Sequence, residues 1–159
     1  MTTPDAPAGS GLVTDVAGLA AHAGSPLGCT QWRDMPQDLV DGFADLTDDH
    51  NPIHVDPAYA RRTPFGGTIA HGYLTLSLLA PLLDELLRVE GASMSINYGI
   101  DKLRFPGPLP VGARFRACAE LAEVAEIGGG VQIKVAATVE VEGAGKPALV
   151  AECLFRHYA

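Results

Sequence analysis

Basic side chains are scarce in this chain: eleven Lys and Arg stand against nineteen Asp and Glu, a formal net charge of −8. A face that neutralises phosphates needs a surplus of cations, so the balance excludes nucleic acid as the expected partner and disfavours an anionic membrane surface. An anionic small molecule is still allowed, because it needs only a local basic patch. Cysteine is scarce too. Cys29, Cys118 and Cys153 share no metal-type or redox-type spacing, and their odd number argues against a complete disulfide framework. They read as three small buried apolar residues in a reducing, cytoplasmic setting. Long apolar runs are missing as well. The most apolar stretch, Leu74 to Leu87, is interrupted by Thr75, Ser77, Pro81, Asp84 and Glu85, and is too short to span a bilayer. No basic segment followed by an apolar one stands at the start, so no secretory signal is expected.

What is present suits one globular domain. Of 159 residues, 47% are hydrophobic and 19% charged, enough to bury a core. Residues 1–12 are small and Pro/Gly-rich and are expected to be disordered, which leaves 13–159 as a single domain. Residues 13–22 read as a short helix, and 27–33 as a short strand carrying the only Trp, Trp32. Asp34 with Gln37 fits a capping box, and Leu39, Val40, Phe43 and Leu46 then recur at helical spacing. The polar segment 48–56 has no helical period and reads as a loop. Asp56-Pro57 reads as the cap and first residue of a short helix reaching Arg62.

A long helix, apolar nearly all round, is predicted from His71-Gly72 to about Arg88, kinked at Pro81 and stopped at Gly91. From Ser93 the period changes to two. Met94, Ile96, Tyr98 and Ile100 alternate, and Leu103 and Phe105 follow in the opposite phase, which places a β-bulge at Asp101-Lys102. Alternation continues over 115–121, 131–141 and 148–158. One helix with four long antiparallel strands around it is an α+β layout, a single sheet curled around a buried helix.

The chemistry concentrates in Asp49-His50-Asn51-Pro52-Ile53-His54. A carboxylate and an imidazole five residues apart in a stiffened loop can converge on one water molecule, one taking a proton while the other gives one. Adding water across a double bond, or removing it, needs such a pair. Two other readings stand beside this one. Asp48, Asp49 and Asn51 are good turn and cap residues and could do only that. Asp49, His50, His54 and Asp56 could bind a metal, although zinc sites usually show a fuller ligand set. Gly72, at the predicted helix start, could open a backbone amide to a thioester oxygen, or could simply allow close packing.

These residues, with Asp56-Pro57-Ala58 and Ala70-His71-Gly72, resemble the hydratase-2 motif of the MaoC-like (R)-specific enoyl-CoA hydratases. PFGGTIAHGYLTLSLL at 64–79 and INYGIDKLRFPGPLPVG at 96–112 resemble more narrowly the nodulation-protein-N-like actinobacterial branch. The resemblance covers roughly residues 30–158. It implies a hot-dog fold, a homodimer with an acyl tunnel near the subunit boundary, and reversible syn hydration of a trans-2-enoyl thioester. It implies Asp49 and His54 as the catalytic pair, the Gly72 amide on the thioester oxygen, and Asn51, Pro52 and His71 as motif support. It implies no metal or redox cofactor, the substrate being carried on coenzyme A or on the phosphopantetheine of an acyl carrier protein. Arg61, Arg62, Lys102 and Arg104 are candidates for the carrier's phosphates, and Leu74, Leu78 and Tyr98 for the tunnel wall. The chain departs from the family pattern twice. Asp48 stands where Gly often precedes the catalytic Asp, and Asn51-Pro52 is often absent from the narrower branch. Asp48 could raise the pKa of Asp49, or point to solvent and do nothing.

Overall fold

The alternation at residues 131–141 becomes the middle of the sheet. In the computed structural model, which describes residues 11–159, the chain runs β1 (Leu12–Asp15), a 3-10 turn (Gly18–His22), β2 (Ser25–Cys29) and β3 (Arg33–Asp34). The helical half follows: α1 (Gln37–Thr47), α2 (Pro52–Val55), α3 (Pro57–Ala60), α4 (Gly72–Ser77) and α5 (Leu79–Leu86). Then come β4 (Leu87–Glu90), β5 (Met94–Arg104), β6 (Arg114–Ile127), β7 (Gly130–Val141) and β8 (Leu149–Tyr158). The order in the main sheet is β2-β6-β7-β8-β5, antiparallel throughout, with β3 also on β6. Most of the expected N-terminal disorder falls on residues 1–10, outside the described residues. Leu12 already belongs to a strand, which pairs parallel with β4, Leu12 opposite Leu87.

One face of β7 carries Ile133, Val135, Ala137, Val139 and Val141, all buried. That face packs on Leu74, Leu79, Leu82, Leu83 and Leu86 of α4 and α5 in one hydrophobic cluster. The layout is the expected α+β one, with two differences in the helix. Pro81 has no N–H to give the carbonyl four residues back, and the helix divides at Leu78 into α4 and α5. Pro81 thus falls in the first turn of α5, where a missing N–H is tolerated, and the four buried leucines of α5 hold the helix to the sheet. Nor is the helix encircled. Tyr73, Ala80, Pro81, Asp84 and Glu85 are exposed, so only one side meets the sheet. It stops at Leu86, because Leu87 and Arg88 pair with β1, and Gly91 serves the turn after β4 instead. Gly11 permits that pairing: a side chain there would collide with the Glu85 carbonyl.

Other expectations also change. Residues 13–22 are a strand and a 3-10 turn, and Trp32 lies between two short strands. The Asp34–Gln37 capping box does not form: Asp34 pairs with Arg114 in the sheet, and Pro36 caps α1 without a side-chain hydrogen bond. The bulge near Asp101 is present as a register shift between Ile100 and Lys102, and a second shift falls between Asn97 and Gly99. The cysteine reading is overturned for two of three residues. Cys29 and Cys118 face each other across β2 and β6 and form a disulfide. Only Cys153 is a buried free thiol, and burial pushes its pKa up to about 11. Among the described residues, no helix is long and apolar enough to cross a membrane.

Candidate active site

The motif lies between the end of α1 and the start of α4. Asp48 closes α1 with a left-handed backbone, φ 59°, the one non-glycine positive φ among the described residues. The expected loop 48–56 is half helical. Asn51 caps a single turn, its side-chain oxygen accepting from the Ile53 N–H at 3.3 Å, and Pro52 occupies the first position. Asp56 caps the next turn by accepting from the Tyr59 N–H at 2.9 Å. These two caps turn the chain sharply and carry His54 inward, where it is buried.

There His54 is fixed from two sides. Its Nδ1–H donates to the Ile69 carbonyl at 2.7 Å, and the Ile69 N–H donates back to the Ile53 carbonyl at 3.1 Å. With Nδ1 used as a donor, the neutral ring keeps its lone pair on Nε2. The His71 ring stacks on it with centroids 3.8 Å apart, and Phe43 lies against the His71 ring at 5.0 Å. His71 is fully buried, and its Nε2–H donates to the Asp49 backbone carbonyl at 2.9 Å. A carboxylate oxygen of Asp49 and one ring nitrogen from each of His54 and His71 lie within 4.8 Å of one another. Burial lowers the His54 pKa. The Ile69 carbonyl opposes that shift, His71 adds to it, and Asp49 opposes it.

The expected residues divide clearly. Asp49, His54, His71 and Gly72 come together. His50 and Asp56, offered as metal ligands, do not join them. His50 turns outward to Asp45 at 2.9 Å, a contact that raises its pKa, and Asp56 is spent on its cap. The three ligand types that do gather are poorly disposed for one ion, because stacked imidazoles direct their lone pairs side by side rather than at a common point. Asp48 points to solvent, 3.6 Å from the His50 ring. Its backbone explains why glycine suits the position.

Gly72 is the first residue of α4, where amides have no intrahelical partner. A Cβ there would sit 3.2 Å from the Phe105 ring, so this glycine allows close packing. His54 and Gly72 line a cavity of about 410 Å³ whose walls include Ile53, Phe65, Ile69, Thr75, Phe105 and Leu109. Leu74, Leu78 and Tyr98 are not among its lining residues. Leu74 is core, and Tyr98 is exposed beneath the Arg156 guanidinium. Lys102 is paired with Glu152 at 2.7 Å, while Arg61, Arg62 and Arg104 are exposed. One residue near the site escaped the sequence reading: Gln37, read as a cap, reaches the His54 carbonyl.

A sheet folded over one side of a helix is the layout of a hot-dog protein. The chain belongs to the MaoC like domain family, whose model matches residues 19–144. It is 51% identical over 145 residues to 3-hydroxyacyl-thioester dehydratase Z of Mycobacterium tuberculosis, covering 91% of this chain and 96% of that protein. It is 40% identical over 139 residues to nodulation protein N of Rhizobium leguminosarum bv. viciae, covering 86% of each. Among solved structures it resembles the (R)-hydratase from A. caviae involved in PHA biosynthesis, with a TM-score of 0.67 and 31% identity over 79% of this chain and 89% of that one.

Because Asp48 serves the backbone and faces water, Asp48→Gly should leave kcat within about twofold and raise stability by at most about 1 kcal/mol. Steady-state kinetics and a thermal melt check this, and a tenfold fall in kcat would assign Asp48 a part in the chemistry.

Proposed function

We propose that this protein is a hydro-lyase that adds water reversibly to a trans-2-enoyl thioester, giving an (R)-3-hydroxyacyl thioester. The observation that carries the reading is the buried, oriented His54 beside the Asp49 carboxylate, at an apolar cavity that also reaches Gly72. Asp49 accepts one hydrogen of the water and orients it. Neutral His54 takes the other proton at Nε2 as the oxygen bonds to the β-carbon. Negative charge moves onto the thioester oxygen, which the Gly72 N–H receives; one donor of that kind is typically worth about 3 kcal/mol. The proton held at Nε2 passes to the α-carbon, which restores the thioester and the neutral imidazole. Dehydration is the same path reversed.

The apolar cavity walls suit an acyl chain, and the exposed arginines Arg61, Arg62 and Arg104 are available to the phosphates of coenzyme A or of a carrier protein's phosphopantetheine. No step in this scheme requires a metal or redox cofactor. The scheme also separates the enzyme from a binding subunit that has lost its chemistry, and from a thioesterase, which would direct the water at the carbonyl carbon. An exposed edge strand bearing Met94, Ile96, Tyr98 and Ile100 supports a homodimer paired through β5.

Loss of enoyl-thioester absorbance with crotonyl-CoA and octenoyl-CoA tests the reaction. Asp49→Asn and His54→Ala should each reduce kcat at least about 100-fold without unfolding the chain, in line with the usual worth of a positioned acid or base. Near-normal turnover in either variant would remove that residue from the mechanism. The active form holds His54 neutral, and its pKa lies below the ordinary 6.5. Activity should therefore be full at neutral pH, and kcat/KM should fall only as pH drops through a value below 6.5. An acid limb centred above 6.5 would contradict the assignment. Light scattering should return twice the chain mass of 16.6 kDa, and a monomer at micromolar concentration would exclude the dimer.

A further inference from the structure

We infer that Gln37 is a positioning residue for His54: its carboxamide bridges the His54 carbonyl and the Thr68 hydroxyl, and so holds the imidazole in register with the segment that carries Ile69 and Gly72. The inference rests on the reading of His54 as the proton-handling group.

Gln37 is the first residue of α1. Its Nε2 donates to the His54 carbonyl and to the Asp41 carboxylate, each at 2.8 Å. Its Oε1 accepts from the Thr68 hydroxyl at 2.6 Å, and Thr68 is buried. Both amide protons and the carbonyl are therefore in use. The partners come from three separate places in the chain: the next turn of α1, the end of α2, and the stretch just before α4. The last two of these also meet directly, through Ile53 and His54 on one side and Ile69 on the other. Gln37 is thus a third tie across the joint that orients the ring, and the only one of the three that reaches back to α1. Asp49 follows the end of that helix, so the bridge sets His54 relative to both the carboxylate and Gly72.

The chemistry demands glutamine at this place. A donor must face a carbonyl and a carboxylate while an acceptor faces a hydroxyl, all at the end of a two-methylene stem. Methionine fills the volume without either function. Glutamate would turn an acceptor toward two acceptors and put a negative charge near His54, whose other charged or titratable neighbours are Asp49 and His71, with Asp41 on α1.

The test uses the full chain with Gln37→Met, Gln37→Glu and Thr68→Val. Gln37→Met and Thr68→Val should each lower kcat on crotonyl-CoA by about 10- to 100-fold with KM changed less than about twofold, the signature of a misplaced proton-handling group. The double variant should be no worse than the weaker single one, since both break one bridge. In Gln37→Glu the His54 ring, followed by side-chain NMR, should titrate at higher pH than in the unaltered protein, because a nearby carboxylate favours the imidazolium. Unchanged kcat in both Gln37→Met and Thr68→Val would overturn the inference. So would a kcat loss that merely tracks the folded fraction while the His54 titration in Gln37→Glu stays put. Full activity in His54→Ala would instead defeat the hydration mechanism, and the NMR titration would still decide whether Gln37 controls His54.

Discussion

One hydrogen bond organises the site: His54 Nδ1–H to the Ile69 carbonyl, 2.7 Å long and buried. Leaving such a donor unmet costs roughly 1–3 kcal/mol, enough to favour one ring orientation by a factor of about 5 to 150. The bond selects the tautomer, and the tautomer leaves Nε2 as the acceptor. It also joins a single helical turn to the segment ahead of α4, alongside the Ile69 N–H to Ile53 carbonyl bond and the Gln37 bridge. His71 reinforces the arrangement from the other ring face while anchoring the Asp49 backbone. Backbone and side chain of the motif are therefore set by the same few contacts.

The sheet and the divided helix supply the rigid body against which those contacts work. Leucines of α4 and α5 and the inward face of β7 form one cluster, and the helix start that bears Gly72 projects from it toward the motif. Pro81 interrupts the helix away from that end, so the amides nearest the cavity belong to an intact turn. The outward side of the helix carries charge, and Arg33 ties Glu85 back to the region of β3. Exposed ion pairs of this sort add little stability, and the apolar contact does most of the holding.

Much of this was legible in the sequence, for local reasons. Strict alternation at 131–141 suits a strand with one buried face, and Asp56-Pro57 suits a cap followed by a helix-starting proline. Asp49 and His54 could be paired because a turn across five residues can bring them to one point. What stayed hidden depends on distant register. The Cys29–Cys118 bond links positions 89 apart and follows from β2 lying opposite β6, which no spacing rule reveals. Gln37 binds partners 17 and 31 residues away, while its local surroundings imitate a capping box. The β1–β4 pair took residues from both predicted helices, since a four-residue parallel pairing leaves almost no periodic trace.

Leu12 finds its strand partner only in Leu87, and β2 finds β6 later still, whereas β6, β7 and β8 fold back on immediate neighbours. Closing the pairings of β1 and β2 therefore ties up long stretches of chain, at a greater entropy cost than the hairpins of the meander. The helix that begins at Gly72 leans on that meander for its packing surface, so a defect in β7 would be felt at a motif far from it in sequence.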